Sequence, residues 1–158
     1  MDQEPIRRHV LALLRSEGAH ADFNAVIEDF PAPLQGRQRD DLPYTAWQLL
    51  EHLRIAQWDI VEFSRRPDHS WPEWPAGYWP RETAPPHPAA WEESLAAFRA
   101  GLAEMQVMVA DPGRDLLAPL AWGDGQTLLR EALLLADHNA YHLGEMVVLR
   151  RLLGAWKD

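Results

Sequence analysis

Apolar positions recur with helical period in four stretches of the chain, and no stretch alternates in the manner of a strand. The first covers residues 5–30, with Ile6, Val10, Leu13, Leu14, Ala21, Val26, Ile27 and Phe30 on one side. Pro5 suits a first helical turn, and Pro31 and Pro33 end the segment. Gly18 weakens its middle without breaking the pattern, so one helix is expected there. His9 and His20, which ride on it, are expected to be solvated or partly buried. The second stretch opens on Thr45, with Gln48 three residues later: a capping box, with Tyr44 and Leu49 at staple positions. It runs to about Arg65, before Pro67, and its apolar face is Leu49, Leu53, Ala56, Ile60 and Phe63. The third runs from about Pro88 to Ala110. Its stripe, Trp91, Leu95, Phe98, Leu102, Met105 and Val109, carries no His, Asp or Glu. The fourth has Thr127 as N-cap and Gly154 at the C-cap position. Its core face reads Glu131, Leu134, Leu135, His138, His142, Glu145, Met146 and Leu149, with Tyr141 at the edge.

Four helices without strands predict an all-α chain, most simply a four-helix bundle forming one domain over residues 1–158. Residues 31–43, rich in Pro, Gly and charge, read as a loop. Residues 66–87 contain Trp71-Pro72-Glu73-Trp74-Pro75-Ala76-Gly77-Tyr78-Trp79-Pro80, which fits neither helix interior nor central strand. A connection of that length permits a crossover topology. Its aromatics have three readings: cover for a pocket, packing over the bundle, or a dimer interface. Packing is the expected one. His69 and His87 lie in this loop and are expected at the surface.

Composition narrows the chemistry. With 158 residues and 47% hydrophobic content, the chain can bury a core. A net charge of −9 disfavours nucleic acid and anionic membranes, which select basic surface. There is no cysteine, which excludes disulfides, thiolate nucleophiles and Cys-ligated zinc. No apolar run reaches membrane-spanning length. Met1-Asp2-Gln3-Glu4-Pro5 lacks the basic-then-apolar order of a signal peptide, so a soluble cytoplasmic protein is the expectation.

His138 and His142 stand four residues apart, one turn along the same helical face. Two imidazoles so placed can share a metal ion but need a further ligand. His52 falls in the middle of the apolar face of the second helix, with Asp59 two turns on along the same line. A polar residue there must be satisfied, and His52 is therefore the candidate third ligand. Spacing alone leaves two readings standing: a metal site and a hydrogen-bonded histidine cluster. Three imidazoles suit zinc, nickel, iron or copper better than magnesium or calcium. They also leave coordination positions open, as catalytic sites do. His-Asn-Ala-Tyr-His lacks the base of His-Glu-x-x-His, so peptidase action is not supported. Glu145, Glu131 and Asp59 are possible bases or partners of the ligands, each with a salt-bridged or solvated alternative. Tyr141 either orients a ligand or substrate or simply packs.

Two segments carry a family resemblance: Thr45-Ala46-Trp47-Gln48-Leu49-Leu50-Glu51-His52-Leu53, and Thr127-Leu128-Leu129-Arg130-Glu131 followed by His138-Asn139-Ala140-Tyr141-His142-Leu143-Gly144-Glu145. Together they resemble the DinB/YfiT-like superfamily of metalloenzymes, over most of the chain. The resemblance implies a four-helix bundle with a long crossover connection. It implies a divalent metal, zinc or nickel, on His52, His138 and His142, and a homodimer. It also implies thiol-dependent chemistry on a small-molecule substrate, with a low-molecular-weight thiol as cofactor. Glu145 and Tyr141 are the candidate catalytic residues beside that metal. The resulting expectation is an S-transferase or hydrolase acting on a small electrophile. Its rival is a non-catalytic metal-binding or scaffold protein of the stress response.

Overall fold

The computed structural model describes residues 2–156. Five α-helices order the chain: α1 (Glu4–Leu14), α2 (Phe23–Ile27), α3 (Ala46–Arg65), α4 (Ala90–Ala110) and α5 (Leu128–Leu152), with 3-10 turns at Ala32–Leu34 and Ala76–Tyr78. Among the described residues there is no strand, only an isolated bridge between Pro119 and Thr127. The architecture is the all-α bundle expected, with α1, α3, α4 and α5 as its four long members.

The predicted helix starts hold. The Thr45 hydroxyl accepts from the Gln48 N–H while the Gln48 side chain accepts from the Thr45 N–H, and Thr127 caps α5 through the Arg130 N–H. At the far end of α5, Gly154 has φ +68°; its N–H bonds to Arg151 and that of Ala155 to Arg150, a Schellman closure. The single first helix does not hold. α1 stops at Leu14, Ser16 takes a left-handed φ of 54°, and a new short helix begins at Phe23, where Asp22 accepts from the Ala25 N–H at 2.8 Å. Gly18 and the capping strength of Asp22 together override the apolar period.

Side-chain pairings fix the topology. Glu51 meets Ser94, Gln57 donates to the Phe98 carbonyl at 2.6 Å, and Arg65 reaches Glu104: α3 and α4 run parallel. Residues 66–89 must therefore return the length of a 20-residue helix, about 30 Å. They do so as a strap laid along α3. His69 and Tyr78 bond to Asp59, Tyr78 also reaches His52, the Pro80 carbonyl accepts from Gln48, and the Thr83 carbonyl accepts from Thr45. This is the long crossover connection that the sequence led us to expect. α5 runs antiparallel to α3, with His142 beside His52 and Asn139 beside Gln57. Buried Arg7 of α1 donates to the carbonyls of Val109, at 2.6 Å, and Arg114, satisfying acceptors at the C-terminal end of α4.

The core has two apolar clusters. One gathers Phe23, Trp47, Leu50, Phe98 and Met146, the other Val10, Leu14, Met105, Leu116 and Leu135. Between them lies a buried polar pair: Asn139 donates to Gln57 at 2.9 Å, and Gln57 donates on to Phe98.

Candidate metal centre

α3 and α5 bring three histidines to one point. Nε2 of His52 lies 3.0 Å from Nε2 of His142 and 3.2 Å from Nε2 of His138. These are the only three metal-ligating side chains among the described residues whose donor atoms lie within 4.8 Å of one another. His52 is buried, whereas His138 and His142 are half-buried at the edge of the helix interface.

That edge position departs from the predicted face of α5. Glu131, Leu135, Met146 and Leu149 of the predicted face are buried, but Leu128, Ala132, Ala136, Asn139 and Leu143 join them on one side, while Leu134 is exposed. Consecutive leucines at 133–135 make α5 apolar on most of its circumference, so the pattern could not centre its own face. The shift suits the chemistry. Asn139 enters the core, and the two flanking histidines face the α3–α5 groove.

The far nitrogens decide what the near ones present. His52 Nδ1 is 2.9 Å from the Tyr78 carbonyl, an acceptor only, so this nitrogen carries the proton. His142 Nδ1 is 2.6 Å from Glu145 Oε2 and donates to it. Each neutral ring then offers a bare lone pair at Nε2. Two such lone pairs facing each other at 3.0 Å repel, and a shared cation converts that repulsion into ligation. The spacing also fits: nitrogens bound about 2.0–2.1 Å from one zinc ion at about 90–110° lie about 2.8–3.4 Å apart. Burial, then the neighbouring histidines, pushes the His138 imidazole down to about 4. Burial likewise lowers that of His52. Both shifts keep the rings neutral, the state a ligand requires. His138 Nδ1 is buried without a partner.

Aromatic rings close one side. Trp79 stacks on His52 with centroids 3.9 Å apart and planes 5° apart, and Tyr44 stacks on the outer side of Trp79 at 5.9 Å. The Tyr44 hydroxyl is pushed up to about 12, first by burial and then by the Glu145 carboxylate beside it. Tyr141, 65% exposed, touches the His142 ring edge-on at the opposite rim. The other carboxylates do not join the cluster. Asp59 accepts from His69 and from the Tyr78 hydroxyl, each at 2.6 Å, and Glu131 pairs with Arg130 at 2.7 Å.

His69 corrects its expected surface position. Its side chain is only 2% exposed, because the strap folds it under Trp58 to reach Asp59. His87, His9 and His20 are exposed, as expected. The sequence reading missed the Tyr78 carbonyl, Trp79 and Tyr44 as parts of the site. Nothing in the spacing marks them, since the strap's path along α3 is what delivers the first two.

The family model of the DinB superfamily matches residues 15–146, which takes in all three histidines. The chain belongs to the DinB superfamily. The DinB match and the histidine cluster agree on a bundle whose α3–α5 groove is capable of metal coordination. No curated protein and no solved structure matches the chain significantly. No helix among the described residues is long and apolar enough to cross a membrane.

Proposed function

We propose that the chain is a metal-dependent enzyme whose His52, His138 and His142 hold a divalent ion, zinc or nickel, for S-transfer to, or hydrolysis of, a small electrophilic substrate. The observation that carries this reading is the pair of Nε2 acceptors facing each other across 3.0 Å, each set by a donor bond on its far side. Held by three protein ligands, such an ion keeps open positions and supplies a Lewis acid that lowers the pKa of a thiol or water.

The chain's own residues supply the rest. Tyr78 and Glu145 fix the rotation of the two imidazoles they accept from. Glu145 also holds the His142 Nδ1 proton within 2.6 Å, which keeps a base next to the site. Trp79 excludes water from one face of His52. Tyr141 stands at the open rim, where its ring and hydroxyl meet an incoming substrate. With no cysteine in the sequence, the thiol is a diffusible low-molecular-weight cofactor. A cytoplasmic homodimer with one domain over residues 1–158 belongs to the same reading.

A second reading, a non-catalytic metal-binding scaffold, draws on Trp71 and Trp74, which are 68% and 77% exposed on the strap and offer a partner-binding surface. Thiol-transfer turnover of a model electrophile, measured with and without added zinc or nickel, separates the two. The enzyme reading expects metal-dependent turnover that His52→Ala abolishes together with bound metal. Full metal content and full activity in that variant would overturn the triad. Metal binding without turnover of any thiol or ester probe favours the scaffold.

A further inference from the structure

Two helical turns beyond His52, the α3–α5 groove opens into a cavity of about 320 Å³ that the cluster does not use. Its lining joins four aromatic side chains, Phe63, Trp71, Tyr78 and Trp122, to three carboxylates, Asp59, Asp124 and Glu131. Arg130 is the one cation in the lining, and it is already paired with Glu131. Three carboxylates against one guanidinium leave the cavity negative, so an anion is disfavoured there.

Two of the rings are held by their polar ends. The Trp122 indole N–H donates to the Phe63 carbonyl at 2.6 Å, and the Tyr78 hydroxyl donates to Asp59 at 2.6 Å. Such anchoring leaves the π surfaces as preformed walls. Trp71 and Trp122 are 68% and 37% exposed, a large apolar area for a ligand to cover. The carboxylates do not converge on a point: among the described residues only the histidine cluster gathers three donor atoms closely enough for a metal ion. Dispersed negative charge framed by aromatic faces suits a large, weakly hydrated cation instead. Asp59 and Glu131 already have partners in Tyr78, His69 and Arg130, so exposed Asp124 is the carboxylate that a neutral ligand of the same shape would leave without a counter-charge.

We propose that this cavity binds an organic ammonium ion, its charged head toward Asp59, Asp124 and Glu131 and its alkyl groups against Trp71, Tyr78 and Trp122. The site shares Tyr78 with the histidine cluster, by its ring here and by its carbonyl there, but does not require the metal.

The test is titration of the full chain with choline and, separately, with its neutral isostere 3,3-dimethylbutan-1-ol. Binding is followed by tryptophan fluorescence and calorimetry, on metal-stripped and on zinc-loaded protein. Choline is expected to bind saturably at one site in both forms, and the alcohol about ten-fold or more weakly. Trp122→Leu and Asp124→Asn, both at exposed positions, should each weaken choline about ten-fold, and Trp122→Phe less. Glu92→Gln, an exposed carboxylate outside the cavity, should change nothing. Equal affinity for the alcohol, indifference to Trp122→Leu and Asp124→Asn in variants with unchanged circular dichroism, or no saturable choline binding would each overturn the proposal. None of these outcomes bears on the histidine cluster, whose metal content is measured on the same samples.

Discussion

The Nε2 atoms of His52 and His142 face each other at 3.0 Å, and each ring carries its proton on the opposite nitrogen. With both rings in the neutral form that ligation requires, neither donates to the other. The protein therefore holds together two acceptors whose natural complement is a cation, and it fixes them through a strap carbonyl on one side and a carboxylate on the other.

Glu145→Gln tests that fixing. The amide can still reach His142 Nδ1, but the charge that strengthens the bond and the basicity of the ring is gone. The expected result is a metal affinity lower by about 10–100-fold, read by competition with a chromophoric chelator, with the helical signal unchanged. An affinity equal to that of the parent chain would show that Glu145 has no hold on the site.

The buried Gln57–Asn139 pair predicts a stability effect with a specific additivity. Gln57→Leu leaves the Asn139 amide and the Phe98 carbonyl without their bonds, at a cost of about 1–3 kcal/mol in urea unfolding. Adding Asn139→Leu removes one of the orphaned groups, so the double variant should lose less than the two single losses together. Strict additivity would mean that the two side chains do not act as a pair.

Acid should destabilise the metal-free protein through His138. Its imidazole is held down to about 4 in the fold, against about 6.5 in an unfolded chain. Between these values the unfolded state binds more protons, so stability falls as pH falls. The contribution is fully present above about 6.5 and lost as pH drops toward 4. Urea midpoints of chelator-treated protein across that range should decline toward acid, and His138→Gln should flatten the decline. A midpoint that rises on acidification would contradict the assignment.

Much of this was legible in the residues. The capping box at Thr45 and Gln48 places α3 to the residue, and His52 sits on its buried face as the period requires. His138 and His142 meet it because α5 runs antiparallel beside α3. What escaped the sequence depended on long-range geometry or on competing local signals. The break after Leu14 hides under an unbroken apolar period, because a cap at Asp22 and a left-handed Ser16 outweigh that period. The face of α5 is rotated from its expected position because leucines at 133–135 surround the helix. His69 looked solvated in a loop sequence and is buried, since only the folded path of the strap shows that it meets Asp59.

The parallel course of α3 and α4 separates two kinds of residue along the chain. The imidazoles belong to helices whose other faces build the core, so their placement is tied to the stability of the bundle. The aromatic surfaces that border the groove, Trp71, Tyr78 and Trp79, belong to a segment that crosses outside the bundle and touches it chiefly through α3. Side-chain changes in residues 66–89 that leave the Tyr78 carbonyl against His52 can thus reshape the groove while the histidines stay where the core holds them. In such a fold, ligand preference can be altered within one continuous stretch of chain without dismantling the centre it serves.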